Sequence, residues 1–315
     1  MRETFLVENN QKPIISIVGP TASGKSELAI ELALKLNGEI INCDSVQIYQ
    51  EIEIATAKVP FAERRGVPHH LLDYVSPRIN YTAADWAKDA TARIYEIEAR
   101  GKTAILVGGT GFYLRTLRQP LFESPKTDEH LRARLKKIRE KKGAEHLHKI
   151  LQRVDGAAAA QLFPRDFVRT SRALEVFFQT KQPISKQQPN RAREPEFAAR
   201  LKIFALNPPR EKLYKRINER AERHFQIGLV EEVRDLREKG VPDDSNALGA
   251  HGYRRVVEYW RGERNLESAL EQTKLDVRHY AKRQLTWFRR EPQVCWLEGF
   301  GEERETQEEL FKAVS

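Results

Sequence analysis

Residues 13–26 read PIISIVGPTASGKS, and this stretch decides the fold. Pro13 to Val18 is a short apolar, β-branched run closed by Gly19-Pro20, the pattern of a buried parallel strand. Gly19 to Ser26 then matches G-x-x-x-x-G-K-[ST] in full. Behind it Leu28, Ala29, Leu32, Ala33 and Leu36 recur at helical spacing until Asn37-Gly38. Such a loop curls so that backbone N–H groups and a helix N-terminus face phosphate oxygens. Gly19, Pro20, Thr21, Ala22, Ser23, Gly24, Lys25 and Ser26 are therefore read as a diphosphate or polyphosphate cradle. Lys25 is expected on the terminal phosphates and Ser26 on Mg²⁺.

Outward from this loop, strands and helices alternate. Glu39 to Cys43 reads as a second strand ending at Asp44, and His70-Leu71-Leu72 as a weaker third. Thr82-Ala83-Ala84-Asp85 is a capping box that opens a helix bearing Trp86, Ala90, Ile94 and Ile97. Thr103 to Val107 is another buried strand, followed by Gly108-Gly109-Thr110-Gly111. After Ser124-Pro125 the chain turns helical and basic for about seventy residues, and Leu201 to Leu206 returns as a strand. Helices are predicted over 210–239, 247–261 and 265–289. The pattern predicts an α/β fold: a P-loop NTPase-like parallel sheet core with an inserted helical domain and C-terminal helices. The expected domains are 1–125 (first part of the core), 126–195 (insertion) and 196–315 (last core strand plus C-terminal helices).

Charge follows the same partition. The chain has 315 residues and a formal net charge of +9. Residues 1–125 carry −1, 126–195 carry +9, 210–290 carry +5 and 291–315 carry −5. Clustered Lys and Arg on helices fit a polyanionic partner, against the plainer reading of solvated helix faces. With 40% hydrophobic residues the chain has the balance of a folded soluble protein. No stretch reaches the roughly 18 apolar residues of a membrane span. The N-terminal residues show no signal peptide, so export is not expected. The two cysteines, Cys43 and Cys295, support neither a disulfide framework nor a zinc site, and a cytoplasmic location is expected.

A nucleotide hydrolase usually ends a strand in the Asp that helps hold Mg²⁺. Here TAILV runs into Gly-Gly-Thr, and the acid is displaced to Asp44 at the neighbouring strand end. Asp44 is either a turn-capping residue or a base aimed at a substrate beside the phosphates. Thr110 is open in the same way, as turn geometry or as a strand-end hydroxyl.

Several motifs in order carry a resemblance over nearly the whole chain: GPTASGKS at 19–26, DSVQIY at 44–49, TAK at 56–58, HHLLD at 69–73, GGTGFY at 108–113, RALEV at 172–176, RINERAERHFQIGLVEEV at 216–233, HGYRR at 251–255 and KRQLTWFRR at 282–290. Together they resemble the tRNA dimethylallyltransferase (isopentenyltransferase) family. The sequence departs from it at Ala55, where Gly is usual, and at His251, where Ile or Val is usual.

The resemblance implies transfer of a dimethylallyl group from dimethylallyl diphosphate to N6 of adenosine 37, in the anticodon stem-loop of tRNAs reading codons that begin with U. The loop would then grip a diphosphate leaving group. It implies Asp44, Thr110 and Arg220 as catalytic residues, with Asp44, Ser45, Val46, Gln47 and Thr110 around the flipped adenine. Implied RNA contacts are Arg132, the segment Val168, Arg169, Thr170, Ser171, Arg172, the turn Gly252, Tyr253, Arg254, Arg255, and Lys282, Arg283, Gln284, Trp287 and Arg289. Trp287 and Phe288 are either aromatic faces for RNA or core. Arg216, Arg220 and Arg223 share one helix face, read as turned away from Leu213 and Ile217; Arg216 and Arg223 are solvated or on RNA phosphates. A monomer suffices for one flipped base and one donor. A small-molecule P-loop transferase (a kinase or an adenylate isopentenyltransferase) and a non-catalytic RNA-binding module are the competing readings. Neither explains both the basic helices and the strand-end Asp44 and Thr110.

Overall fold

In the computed structural model, which describes residues 12–314, six strands form one sheet: β1 (Ile14–Val18), β2 (Gly38–Asn42), β3 (His69–His70), β4 (Thr103–Gly108), β5 (Leu201–Asn207) and β6 (Val294–Glu298). Their spatial order is β3-β2-β4-β1-β5-β6 and every neighbouring pair is parallel. Helices follow in chain order as α1 (Lys25–Leu36), α2 (Ala83–Ala99), α3 (Gly111–Arg118), α4 (Glu129–Lys142), α5 (Ala144–Val154), α6 (Gly156–Ala160), α7 (Phe167–Thr180), α8 (Ile184–Gln187), α9 (Arg210–Gln226), α10 (Leu229–Glu238), α11 (Tyr253–Trp260), α12 (Leu266–Phe288) and α13 (Arg304–Val314).

The fully buried β1 and β4, apolar but for Ser16, Thr103 and Gly108, reflect a sheet covered on both faces. Successive residues alternate between two cores. Ile15, Ile17, Ile105 and Val107 pack with α1 and Leu310 of α13. Ile14, Val18, Ala104 and Leu106 pack with Trp86, Tyr113, Val233 and Tyr253. The Thr82 capping box forms as expected, with Asp85 returning a bond to the Thr82 backbone.

Three expectations change. The helix read over 210–239 is two helices, because Gly228 adopts φ 108° and breaks the axis between α9 and α10. The helix expected from 247 begins at Tyr253. The edge strand β6 and helix α13 follow α12 where no element was read.

Among the described residues, 12–118 and 195–314 build one compact unit, and Gln119–Glu194 build a second. The second starts ahead of the Ser124-Pro125 break, since Phe122 pairs with Arg191 and packs on that unit's core. Its own centre is Leu135, Leu147, Leu151, Leu174 and Val176. There Glu175, fully buried, accepts from Arg132 Nε at 2.9 Å and Nη2 at 3.2 Å, and from Arg172 Nη1 at 3.4 Å.

At the start of β2, away from the strand ends that carry the P-loop, Glu39 is buried among Lys102 at 2.9 Å, Arg100 at 2.7 Å and His70 at 2.6 Å. Burial alone would push its carboxyl up. Bonds from Arg100, Lys102 and His70 outweigh burial and hold it down to about 2. A depressed carboxyl adds stability above its unfolded value and loses it as pH falls toward the folded one. Glu39→Gln is therefore expected to lower the melting temperature near neutrality, by up to about 3 kcal/mol of stability, and to flatten the decline between pH 4.5 and 2. Thermal melts of both proteins across that range test this.

Candidate active site

The phosphate-binding loop takes its shape from three residues in the left-handed region. Gly19 has φ 139°, Ala22 φ 65° and Gly24 φ 83°. A Cβ on Gly19 would lie 3.1 Å from the Leu206 backbone, so β5 also requires glycine there. The loop ends at the first turn of α1, whose free N–H groups favour an anion. Lys25 Nζ folds onto Pro20 O at 2.6 Å. Burial, with Arg220 adding to it and Asp44 opposing it, pushes the Lys25 ammonium down to about 8. The buried Ser23 hydroxyl lacks a partner among the described residues. These groups line a cavity of about 190 Å³, into which Ser26, Asp44, Gln47 and Arg220 also face.

The ends of β2 and β4 are laced together beside it. Asp44 Oδ1 accepts from Val46 N at 2.8 Å and from Gln47 N at 3.3 Å. Thr110 Oγ1 accepts from Ser45 N at 3.0 Å and donates to Ser45 Oγ at 3.3 Å. Gly108 is required by the close approach of the strands, since a Cβ would lie 2.0 Å from Cys43 O. Gln47 Nε2 donates to Thr56 O at 3.0 Å and Ala57 O at 3.2 Å, which fixes the amide and turns its oxygen the other way.

A second cavity of about 490 Å³ adjoins the first, with Asp44, Ser45, Val46, Thr110 and Arg220 in its wall. Thr21, Asp44, Thr56 and Arg220 line both. A cationic phosphate cradle thus opens through Arg220 into a larger chamber holding a carboxylate and a hydroxyl. Such a site can hold a diphosphate ester with its carbon end beside Asp44.

The structure redistributes several expected residues. Arg220 points into the chamber with Ile217 and Ala221 rather than away from Ile217, and it bonds to Thr21 Oγ1. Burial lowers its guanidinium pKa and Asp44 raises it. Arg216 is instead paired with Glu302 and stacked over Phe300. Tyr253 is fully buried, bonded to Glu232 Oε2 at 2.9 Å and to Ala55 N at 3.2 Å, and Gly252 is buried beside it, so neither offers a side chain to RNA. Arg255 is taken up by Glu258 and Asp276, while Arg254 is exposed. In the second unit Thr170 and Ser171 are buried, Arg132 and Arg172 are committed to Glu175, and Val168 and Arg169 are exposed.

Along α12, Lys282, Arg283 and Arg289 are exposed. Gln284 is buried and bonded within the protein. Trp287 packs on Gly111 beneath Arg115, and Phe288 belongs to the core. Residues that sequence reasoning did not place in the site are Tyr49, Tyr280, Thr273 and Val277 in the chamber wall, with His224. The one available signal was spacing: Thr273, Val277, Tyr280 and Gln284 follow one face of α12 at steps of four, three and four.

A family model described as IPP transferase matches residues 47–291. The chain belongs to the IPP transferase family. Among relatives of this family, tRNA dimethylallyltransferase of Solibacter usitatus is 44% identical over 96% of this chain and 98% of its own. That of Geobacter metallireducens is 47% identical, over 92% of this chain and 94% of its own. The solved tRNA isopentenylpyrophosphate transferase of Bacillus halodurans, 35% identical, has a TM-score of 0.69 over 96% of this chain and 94% of that one. A eukaryotic dimethylallyltransferase caught acting on tRNA, 27% identical, has a TM-score of 0.76 over 96% of this chain and 78% of that one. The two solved structures match this chain in fold over 96% of its length, and the parallel sheet with its P-loop is the fold read from residues 13–26. Among the described residues, no helix is long and apolar enough to cross a membrane.

Proposed function

We propose that this protein transfers the dimethylallyl group of dimethylallyl diphosphate to N6 of adenosine 37 in tRNAs reading codons that begin with U. The observation that carries this reading is the junction at Thr21, Asp44, Thr56 and Arg220, which joins a phosphate cradle to a chamber containing a free carboxylate oxygen.

The donor's diphosphate lies in the P-loop, on the loop N–H groups, Lys25 and Arg220. As the C1–O bond breaks, its electron pair leaves with the diphosphate, and these fixed donors stabilise the growing charge. The adenine amine is a weak nucleophile, because its lone pair is delocalised into the ring. Asp44 Oδ1 is held by Val46 and Gln47, so Oδ2 faces the amine and takes the proton released as C1–N6 forms. Thr110 braces Ser45 on the opposite strand end and keeps that carboxylate in place. Adenosine must be flipped out of the anticodon loop to enter, which favours an unpaired base.

Mg²⁺ fits this cradle. The Ser26 hydroxyl has no hydrogen-bond partner among the described residues, and no cluster of three or more His, Cys, Asp or Glu suited to a metal occurs among them. A hard cation here would therefore rest on Ser26 and the substrate's own phosphate oxygens, and would neutralise charge on the leaving group. RNA phosphates are held by the exposed Arg169, Arg254, Lys282, Arg283 and Arg289, and binding weakens steeply with salt. The protein acts as a monomer.

Incubation with Mg²⁺, labelled dimethylallyl diphosphate and an unmodified tRNA carrying A37 tests the reading. Label is expected on N6 of A37. Incorporation into free AMP with none in tRNA supports an adenylate isopentenyltransferase instead.

The two kinds of arginine in the helical unit separate in the same assay. Arg169→Ala is expected to weaken tRNA binding a few-fold and reduce its salt slope by about one, with melting unchanged. Arg132→Ala leaves Glu175 short of a partner and is expected to cost about 1–3 kcal/mol of stability. Salt titrations and melts of both variants check this.

A further inference from the structure

Gln284 was expected on the RNA side of α12, between the exposed Lys282, Arg283 and Arg289. The residue is 4% exposed and its side chain turns inward. Oε1 accepts from the backbone N–H of Thr21 in the P-loop at 2.8 Å. Nε2 donates to Gly109 O, in the turn after β4, at 3.1 Å. A Cβ on Gly109 would lie 1.9 Å from that nitrogen, so the second glycine of Gly-Gly-Thr makes room for this amide.

The two anchored groups belong to opposite halves of the reaction. Thr21 lies in the donor cradle, and its hydroxyl is held by Arg220. Its N–H is therefore held from α12 and its Oγ1 from α9. Gly109 immediately precedes Thr110, whose hydroxyl holds Ser45 next to Asp44. A neutral amide of this length supplies an acceptor to one backbone and a donor to the other at once. Both backbone groups would be left unpaired by an apolar residue of the same shape, each at a real cost.

We propose that Gln284 is a positioning residue: it sets the distance between the diphosphate cradle at Thr21 and the Asp44–Thr110 acceptor centre, and so the alignment of donor carbon and adenine amine. It lines the phosphate cavity, but both of its polar side-chain atoms are committed to backbone groups. The proposal rests on the prenyl-transfer reading above. A displacement near 1 Å between reacting partners is enough to cost about a hundredfold in rate.

The test compares the full-length protein with Gln284→Met, which keeps length and removes both hydrogen bonds. Single-turnover rates at saturating donor and tRNA are measured, with dissociation constants for inorganic pyrophosphate and for tRNA, and melting curves. The expected result is a rate roughly ten- to a hundredfold lower with both affinities within about threefold of wild type. In a Thr110→Ala background the same substitution should cost clearly less, because the turn it positions is already impaired. A wild-type rate in Gln284→Met, or rate and both affinities falling in parallel with full additivity to Thr110→Ala, overturns the proposal. If Gln284→Met does not fold, Gln284→Glu replaces it, since it keeps the acceptor for Thr21 and loses the donor to Gly109; an unchanged rate there also overturns it. Absence of transfer by the wild-type protein would instead sink the function on which the proposal rests.

Discussion

Asp44→Asn is expected to lower the rate of the chemical step by roughly 10²–10⁴-fold while leaving tRNA affinity within about threefold. The asparagine oxygen can still accept from Val46 and Gln47, so the turn after β2 keeps its shape. What it lacks is the second oxygen's ability to take a proton. Asp44→Ala removes both functions and should be as slow or slower, with some loss of order at Ser45 to Gln47. Single-turnover transfer and tRNA binding, measured on both variants, separate the roles. An Asn variant with near-wild-type rate would mean that Asp44 only shapes the turn. Equal losses of rate and affinity would mean the same.

Lys25→Met is expected to be the most damaging change on the donor side, costing about 10²–10³ in the rate of transfer and weakening pyrophosphate binding. Its pH dependence carries further information. The Lys25 ammonium is held down to about 8, first by burial. It is charged below that value and neutral above it, so pyrophosphate affinity should fall as pH rises through about 8 in the wild-type protein. A bound anion raises the same pKa, so proton uptake accompanies binding on the alkaline side. The ligand's own titration is common to both proteins and cancels in the ratio of wild-type to Lys25→Met affinity. That ratio should shrink between pH 7 and 9.5, as calorimetry would read directly. A constant ratio would show that Lys25 stays charged throughout and that burial does not control it.

The core was legible because its strands are buried on both faces. β1 and β4 are buried along their whole length and apolar but for Ser16, Thr103 and the terminal Gly108, and Gly19 after β1 and Gly108 at the end of β4 are forced by close approaches to Leu206 and Cys43. β6 was missed although Val294 to Leu297 is a four-residue apolar run: it is short, follows a long helix, and as an edge strand buries only Leu297. The break between α9 and α10 was hidden because apolar spacing continues through Ile227 and Leu229 on either side of Gly228. Within the site, Lys25, Asp44 and Arg220 could be named from motif and order. The fates of Tyr253, Gln284 and Arg132 could not. A tyrosine bonded to Glu232, an amide bonded to two backbones and an arginine bonded to Glu175 all depend on partners between 21 and 263 positions away, to which local spacing is blind.

The pairing of Phe122 with Arg191 has a consequence for the ancestry of such chains. It brings the entry and exit of the helical unit together, and the strands on either side, β4 and β5, are not neighbours but flank β1. Removing everything between those two residues would leave every sheet pairing in place. The module is thus a graft whose exchange would leave the sheet, and the P-loop and Asp44 at its strand ends, undisturbed.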